Sequence, residues 1–248
     1  MAISHTVDEG VAEVVVDYPP VNALPVAGWY ELADTVRRLG DDLHVHALVL
    51  RAEGRGFNAG VDIKEMQATE GFDALVGANR GCYAAFAAVY ECAVPVIAAV
   101  HGFCLGGGIG LVGNADIVVA STDATFGLPE VDRGALGAAT HLARLVPQHR
   151  MRAMVYLAEA ATAEELQRYG SVYRVVDRSE LREVALQVAR AIAEKSTRVI
   201  RAAKESLNGI DPVDVKRSYR FEQGFTFELN LAGEGDRARD AFVRKPEG

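Results

Sequence analysis

Short runs of branched apolar residues alternate with stretches of helical periodicity through the first two thirds of the chain. Val11–Tyr18, Ala47–Arg51, Val94–Val100 and Asp116–Ala120 are bounded by turn residues and predict strands, and Val172–Val176 predicts a fifth. Between them, Val26–Leu39 and Gly71–Glu91 predict helices; the small residues Ala84, Ala85, Ala87 and Ala88 of the second suit close helix packing. This alternation is that of an α/β architecture. No literal repeat is visible, although repeated ββα turns need not leave one. From about Glu180 the pattern changes: Leu181, Val184, Ala185, Val188 and Ile192 fall at helical spacing, and Val199, Ala203 and Leu207 continue it. Residues 1–195 therefore read as the α/β core and residues 196–248 as a helical C-terminal region. The apolar residues of that region need a partner surface, either the core or another subunit.

The chain has 248 residues and a net charge of −8, with no basic stripe, which argues against a nucleic-acid partner. Cys82, Cys92 and Cys104 are odd in number and lack metal-ribbon spacing, so a reducing compartment is the simpler expectation. Residues 1–10 carry His5, Asp8 and Glu9 and do not read as a signal peptide. No run of about 18 apolar residues spans a bilayer. A soluble, cytoplasmic protein without a membrane partner is expected.

The most informative stretch is His101–Gly113, HGFCLGGGIGLVG. Three successive glycines after a buried-type strand imply unusual backbone dihedrals or a close ligand approach. A tight strand-to-helix turn is one reading. Gly108, Gly110 and Gly113 also spell a dinucleotide fingerprint, but Gly108 lies eight residues beyond Val100, too far from the strand end for that use. The remaining reading is an oxyanion hole: a helix N-terminus offers a free N–H, and Arg55–Lys64, RGFNAGVDIK, offers a second glycine-bearing turn after a strand.

The segments PPVNAL (19–24), RGFNAGVDIKEM (55–66), PVIAAVHGFCLGGGIGL (95–111), NADIVVAS (114–121) and ATFGLPEVDRG (124–134), with DRARDAFVRK (236–245) near the end, resemble the crotonase (enoyl-CoA hydratase/isomerase) superfamily. They occur in order over nearly the whole chain. The resemblance implies a spiral of ββα turns with a C-terminal helical trimerisation region, as homotrimer or hexamer, and an acyl-CoA substrate with no permanently bound cofactor or metal. By motif position, the oxyanion donors are the amides of Val61 and Gly107. Asn58, Ala59, Gly60, Asp62, Ile63 and Lys64 would lie along CoA, and Phe242 and Lys245 would reach a CoA in an adjacent subunit.

Hydratases of this family use two glutamates; here the first position is Gly110 and the second is Glu130. One carboxylate serves poorly for adding water across a double bond. It serves double-bond isomerisation, or hydrolytic cleavage of a cyclic β-diketone CoA ester, in which a single base acts while the oxyanion hole holds an enolate. The segments GFCLGGGIGLVGN, FGLPEVDRGALGAATHLARLVPQH and FEQGFTFELNLAG resemble most closely the branch of the family that opens a steroid-derived ring in this way. Ring-opening hydrolysis is therefore favoured over a hydratase or isomerase, and over an acyl-CoA-binding oligomer without turnover, which has no use for a positioned base. Gly106, Gly110, Asp132 and His141 are candidate pocket residues. Glu222 and Glu228 could face a neighbouring site or stand in solvent.

Overall fold

The computed structural model describes residues 2–243, and among these nine strands form two sheets. The strands are β1 (Ile3–Asp8), β2 (Val11–Val16), β3 (Ala47–Ala52), β4 (Val96–Val100), β5 (Phe103–Leu105), β6 (Ile117–Ser121), β7 (Thr125–Gly127), β8 (Ala160–Thr162) and β9 (Arg174–Val176). The larger sheet has the order β1-β2-β3-β4-β6-β9, antiparallel only at β1. The smaller has the order β5-β7-β8. The helices are α1 (Val26–Asp41), α2 (Ile63–Ala68), α3 (Asp73–Glu91), α4 (Gly107–Val112), α5 (Ala139–Leu142), α6 (Gln148–Leu157), α7 (Ala163–Tyr169), α8 (Leu181–Ala193), α9 (Thr197–Gly209), α10 (Val215–Leu231) and α11 (Glu234–Val243).

The strands that read most clearly in the sequence are those covered on both faces, which makes them continuous apolar runs. Leu48, Leu50, Val96, Ala98 and Val118 enter the larger core with Trp29 and Val36 of α1 and Phe86 of α3. Val49, Ile97, Ala99 and Val119, one residue out of phase, pack on Leu181, Ala185, Leu186 and Ala189 of α8. Burying each large aliphatic side chain in these layers contributes about 1.5–3 kcal/mol. The small residues of α3 serve the expected close packing: at Gly81 an added Cβ would lie 2.8 Å from the Cβ of Trp29 on α1.

Two parts of the structure depart from the sequence reading. Strand β1 has no apolar alternation, since only Ile3 is buried. It forms because Glu9 and Gly10 both take positive φ, the two-residue turn that suits a hairpin twist. Helix α9 has the expected spacing but the opposite face inward. Val199 and Leu207 are 64% and 61% exposed, and the buried residue is Lys204, paired with Asp116 at 2.7 Å. Helix α10 instead turns Val215, Tyr219, Gln223, Thr226 and Asn230 onto α5 and α3, so its partner surface is the chain's own core. Among the described residues, no helix is long and apolar enough to cross a membrane.

Candidate active site

The first glycine-bearing turn is held by two buried asparagines 36 residues apart. Asn58 donates to the Asn22 carbonyl at 2.6 Å and accepts from the Gly60 amide at 2.8 Å. Asn22 in turn donates to the carbonyls of Glu53 and Gly56 at 2.7 and 2.8 Å. Each satisfied buried amide fixes the loop, because leaving one unpaired would cost about 1–3 kcal/mol. Gly60, at φ 89°, then delivers Val61 into a parallel bridge with Leu24. The bridge is made by the Gly60 carbonyl and the Asp62 amide, at 2.9 and 3.0 Å from Leu24. The geometry of a parallel bridge therefore turns the Val61 N–H away from Leu24.

The second turn is stitched to the first. The Leu105 amide donates to the Asn58 carbonyl at 2.8 Å, so β5 runs beside the loop just before the glycine triplet. Gly106 takes φ 56° and ψ −114°, a conformation open to glycine alone, and caps α4. Gly107 is then the first residue of α4, where an amide has no intrahelical acceptor and the helix dipole favours negative charge. Among the described residues, neither the Val61 nor the Gly107 amide donates to a backbone carbonyl. The two turns nearly touch: a Cβ on Gly60 would stand 3.3 Å from the Gly107 nitrogen.

Glu130 arrives from the smaller sheet. The Gly106 amide donates to the Gly127 carbonyl at the end of β7, and Pro129 opens the 3-10 turn Pro129–Arg133 that carries the glutamate. Its Oε1 lies 2.6 Å from where a Gly106 Cβ would be, so the carboxyl rests against the second glycine turn. The residue as a whole is only partly buried, yet its Oε2 is shielded from water and has no hydrogen-bond partner among the described residues. Burial pushes its pKa up to about 8, with Arg133 opposing and Glu222 reinforcing the rise. Val61, Gly106, Gly107 and Glu130 line one cavity of about 100 Å³, together with Cys82 and Tyr219. The Cys82 thiol is driven up by burial and held neutral, which removes it as a nucleophile.

The other candidates separate. Gly110 is turned away from the cavity; any side chain there would overlap the ring of Phe86. His141 does not line the cavity either. It packs edge-on against Phe86 and Tyr219, with ring centroids 5.0 Å from each, and borders a separate void of about 10 Å³. Burial lowers its pKa to about 3, which keeps the imidazole neutral. Asp132 is exposed on the 3-10 turn and is not among the residues lining the cavity.

A groove of about 310 Å³ lies on the far side of Val61, lined by Ala59, Asp62, Ile63 and Lys64 with Tyr18 and Pro20. Asn58 and Gly60 are buried and leave this groove to their neighbours; Asn58 is a brace, with both ends of its side chain engaged in the loop. Asp62 caps α2 by accepting from the Lys64 amide at 2.9 Å. Lys64 is exposed at the groove. Lys245 and the side chain of Phe242 lie outside the described residues. Glu228 is exposed, whereas Glu222 is largely buried and accepts from the Thr140 amide and hydroxyl at 2.6 and 2.9 Å. Burial raises the Glu222 pKa. Sequence reasoning missed Asn22, Phe86 and Tyr219 as parts of the site; PPVNAL carried the first, and nothing local distinguished the aromatics from ordinary core.

The profile described as "Enoyl-CoA hydratase/isomerase" matches residues 6–232. The chain is 68% identical over 244 residues to the "(7aS)-7a-methyl-1,5-dioxo-2,3,5,6,7,7a-hexahydro-1H-indene-carboxyl-CoA hydrolase" of Rhodococcus jostii, covering 98% of this chain and 95% of that protein. It is also 68% identical to the hydrolase of the same name from Mycobacterium tuberculosis, over 98% of each. A crystal structure of an enoyl-CoA hydratase/isomerase from Xanthobacter autotrophicus Py2 superimposes with a TM-score of 0.86 at 26% identity, over 100% of this chain and 99% of that one. On this match across residues 6–232, with the fold and the two glycine-bearing turns described above, the chain belongs to the enoyl-CoA hydratase/isomerase family.

Proposed function

We propose that this protein is an acyl-CoA hydrolase that opens a ring of a bicyclic diketone carried as a CoA thioester. One observation carries the reading: a single carboxylate, Glu130, lines one cavity with Val61 and Gly107, whose amides donate to no backbone carbonyl among the described residues, while the position of a second acid, Gly110, is filled by the Phe86 ring. The names of the two relatives at 68% identity support the substrate class.

In this mechanism Glu130, in its ionised form, takes a proton from water, and the hydroxide adds to a ring ketone. The C–C bond between that carbon and the carbon conjugated with the thioester then breaks. Its electron pair passes to the thioester oxygen, which the Val61 and Gly107 amides hold as an enolate. The proton on Glu130 returns to carbon, and the new carboxylic acid releases its own to solvent. Each amide is worth about 10²–10³ in rate when it is aimed at the developing charge. Val61 lines both the cavity and the groove, so the thioester joins the two, with the acyl group beside Glu130 and the CoA chain along Ala59–Lys64. No separate cofactor is needed for these steps. The exposed Val199 and Leu207 of α9 and Phe221 and Leu231 of α10 leave apolar surface for association between copies, and the family resemblance makes that assembly a homotrimer, alone or paired.

A comparison of two substrates tests the reading. With a bicyclic diketone CoA ester the enzyme is expected to form a ring-opened carboxylate; with crotonyl-CoA it is expected to form no hydrated product at a comparable rate. Fast hydration of crotonyl-CoA with no cleavage of the diketone would overturn it.

A further inference from the structure

Thioester and ring lie at different ends of such a substrate, and the two amides can serve only one oxygen. Addition of hydroxide to the ring ketone creates a second negative oxygen, and cleavage turns it into a carboxylate. Nothing at the glycine turns is placed to receive that charge.

Arg239 of α11 lines the same cavity as Glu130, and it is the one cationic side chain among the described residues that do so. It is 9% exposed. It also lines an adjoining cavity of about 390 Å³ that shares Met66 and Leu75, so it stands where the two meet. Its position is set from behind. One guanidinium nitrogen donates to the buried Asn230 Oδ1 at 2.8 Å and to Asp236, and Gly235 lets the backbone close on the pair. Asp236 is 73% exposed, so its counter-charge is screened by water and weakens the guanidinium's pull on an anion little. Both Asp236 and Asp240 line the adjoining cavity and not the one shared with Glu130. Helix α11 packs on the 3-10 turn that carries Glu130, which ties the base and the cation to one another.

Building on the ring-opening reading, we infer that the Arg239 guanidinium is a catalytic residue at the ring end: it binds the ketone oxygen that water attacks, and afterwards the carboxylate formed there. The electron pair of the C=O bond moves onto the oxygen facing Arg239 as hydroxide adds. When the C–C bond breaks the carbonyl re-forms, and loss of the acid proton leaves the carboxylate paired with the guanidinium. Its Nη2 hydrogens are taken by Asn230 and Asp236, so the N–H groups on Nε and Nη1 are the ones left to donate to that product. Arg239 would thus select acyl groups that carry an oxygen function far from the thioester, and its counterpart at the near end is the pair of amides.

The test uses binding as well as turnover, on the full-length protein. Affinities of wild type, Arg239→Gln and Arg239→Lys are measured by calorimetry for CoA and for ω-carboxyacyl-CoA esters of graded chain length beside their methyl-ended analogues. Wild type is expected to prefer at least one carboxylate-ended ester about tenfold or more, as a charge-assisted hydrogen bond implies. Arg239→Gln is expected to lose that preference while binding CoA normally, and Arg239→Lys to keep part of it. On the diketone ester, Arg239→Lys, which keeps the charge and loses the fixed placement of the guanidinium, is expected to lower kcat more than it raises KM. Absence of the preference in wild type, or its survival in Arg239→Gln, overturns the assignment. Should Arg239→Gln fail to bind CoA, the Arg239→Lys variant decides: normal CoA affinity with unchanged kcat also overturns it. A wild-type enzyme that leaves the diketone uncleaved defeats the ring-opening reading alone, because the binding comparison stands without turnover.

Discussion

Two positions flank the glycine triplet, and they are built in opposite ways. At Glu130 a carboxyl is pressed against Gly106 with one oxygen lacking any partner among the described residues. At Gly110 there is no side chain, and Phe86, itself packed edge-on to Trp29 at 5.7 Å between centroids, fills the space to contact. Packing and hydrogen bonding would favour the second arrangement everywhere, since a buried carboxyl oxygen without a partner costs free energy that an aromatic ring does not. The difference therefore separates what the fold needs from what the chemistry needs. The Phe86 side is core, and the Glu130 side is a destabilised group that the proposed mechanism uses as its base.

The largest expected effect breaks the Glu130 side. Glu130→Gln should lower kcat on the diketone ester about 10²–10⁴-fold, the usual worth of a general base, with CoA-ester affinity nearly unchanged. Steady-state kinetics beside calorimetry check both halves. Next comes the Phe86 side: Phe86→Ala should destabilise the fold by about 3–5 kcal/mol through the cavity it leaves, read from denaturant unfolding. Adding bulk there should cost less. Gly110→Ala forces a methyl into the ring and should destabilise by about 1–3 kcal/mol, although alanine ordinarily favours a helix. Restoring an acid at residue 110 therefore should not restore hydratase activity, because the ring occupies its place.

The pH dependence sharpens the contrast further. The base works when deprotonated, so kcat/KM of the free enzyme should rise with pH through about 8. Stability moves the other way. The folded-state pKa lies above the ordinary 4.5, so the fold's advantage from a neutral Glu130 is complete below 4.5 and is lost as pH rises through about 8. Glu130→Gln should accordingly gain in melting temperature relative to wild type across that window; parallel curves would contradict the placement of a carboxyl with one buried oxygen that lacks a partner. The smallest effect is expected from Glu222→Gln. Removing that neighbouring charge should move the limb of the rate profile to lower pH.

How far the sequence was legible follows the same division. Strands β3, β4 and β6 could be read because they are nearly continuous apolar runs, β2 because its branched residues outweigh the one buried Glu13, and α1 and α3 because periodicity and small residues agree with their packing. Strand β1 was hidden by its exposed side chains, and the three-residue strands β5, β7 and β8 are too short to show a period. The C-terminal helices could be read as helices, but α9 buries Lys204 where the pattern pointed to Val199 and Leu207. For the site, Val61, Gly107 and Glu130 stand in motifs, and the fold brings them to one cavity. Asn22 with Asn58, and Arg239 with Glu130, meet only through the fold, since no local pattern links residues 36 or more than 100 positions apart. Phe86 as the occupant of the missing acid's place was equally out of reach, because an aromatic residue on a helix looks the same whether it lines a core or plugs a site. His141 shows the converse: it stood out in the sequence and turned out to be a neutral member of the aromatic packing.

One measurement reaches the central claim that a lone base beside two amides drives hydrolysis of a carbon–carbon bond. The diketone CoA ester is turned over in water enriched in oxygen-18, and the product is analysed by mass spectrometry. The account predicts a ring-opened CoA thioester with one solvent oxygen in its new carboxylate, formed by wild type and not by Glu130→Gln. Release of free CoA, or a hydrated product with its ring intact, would contradict it.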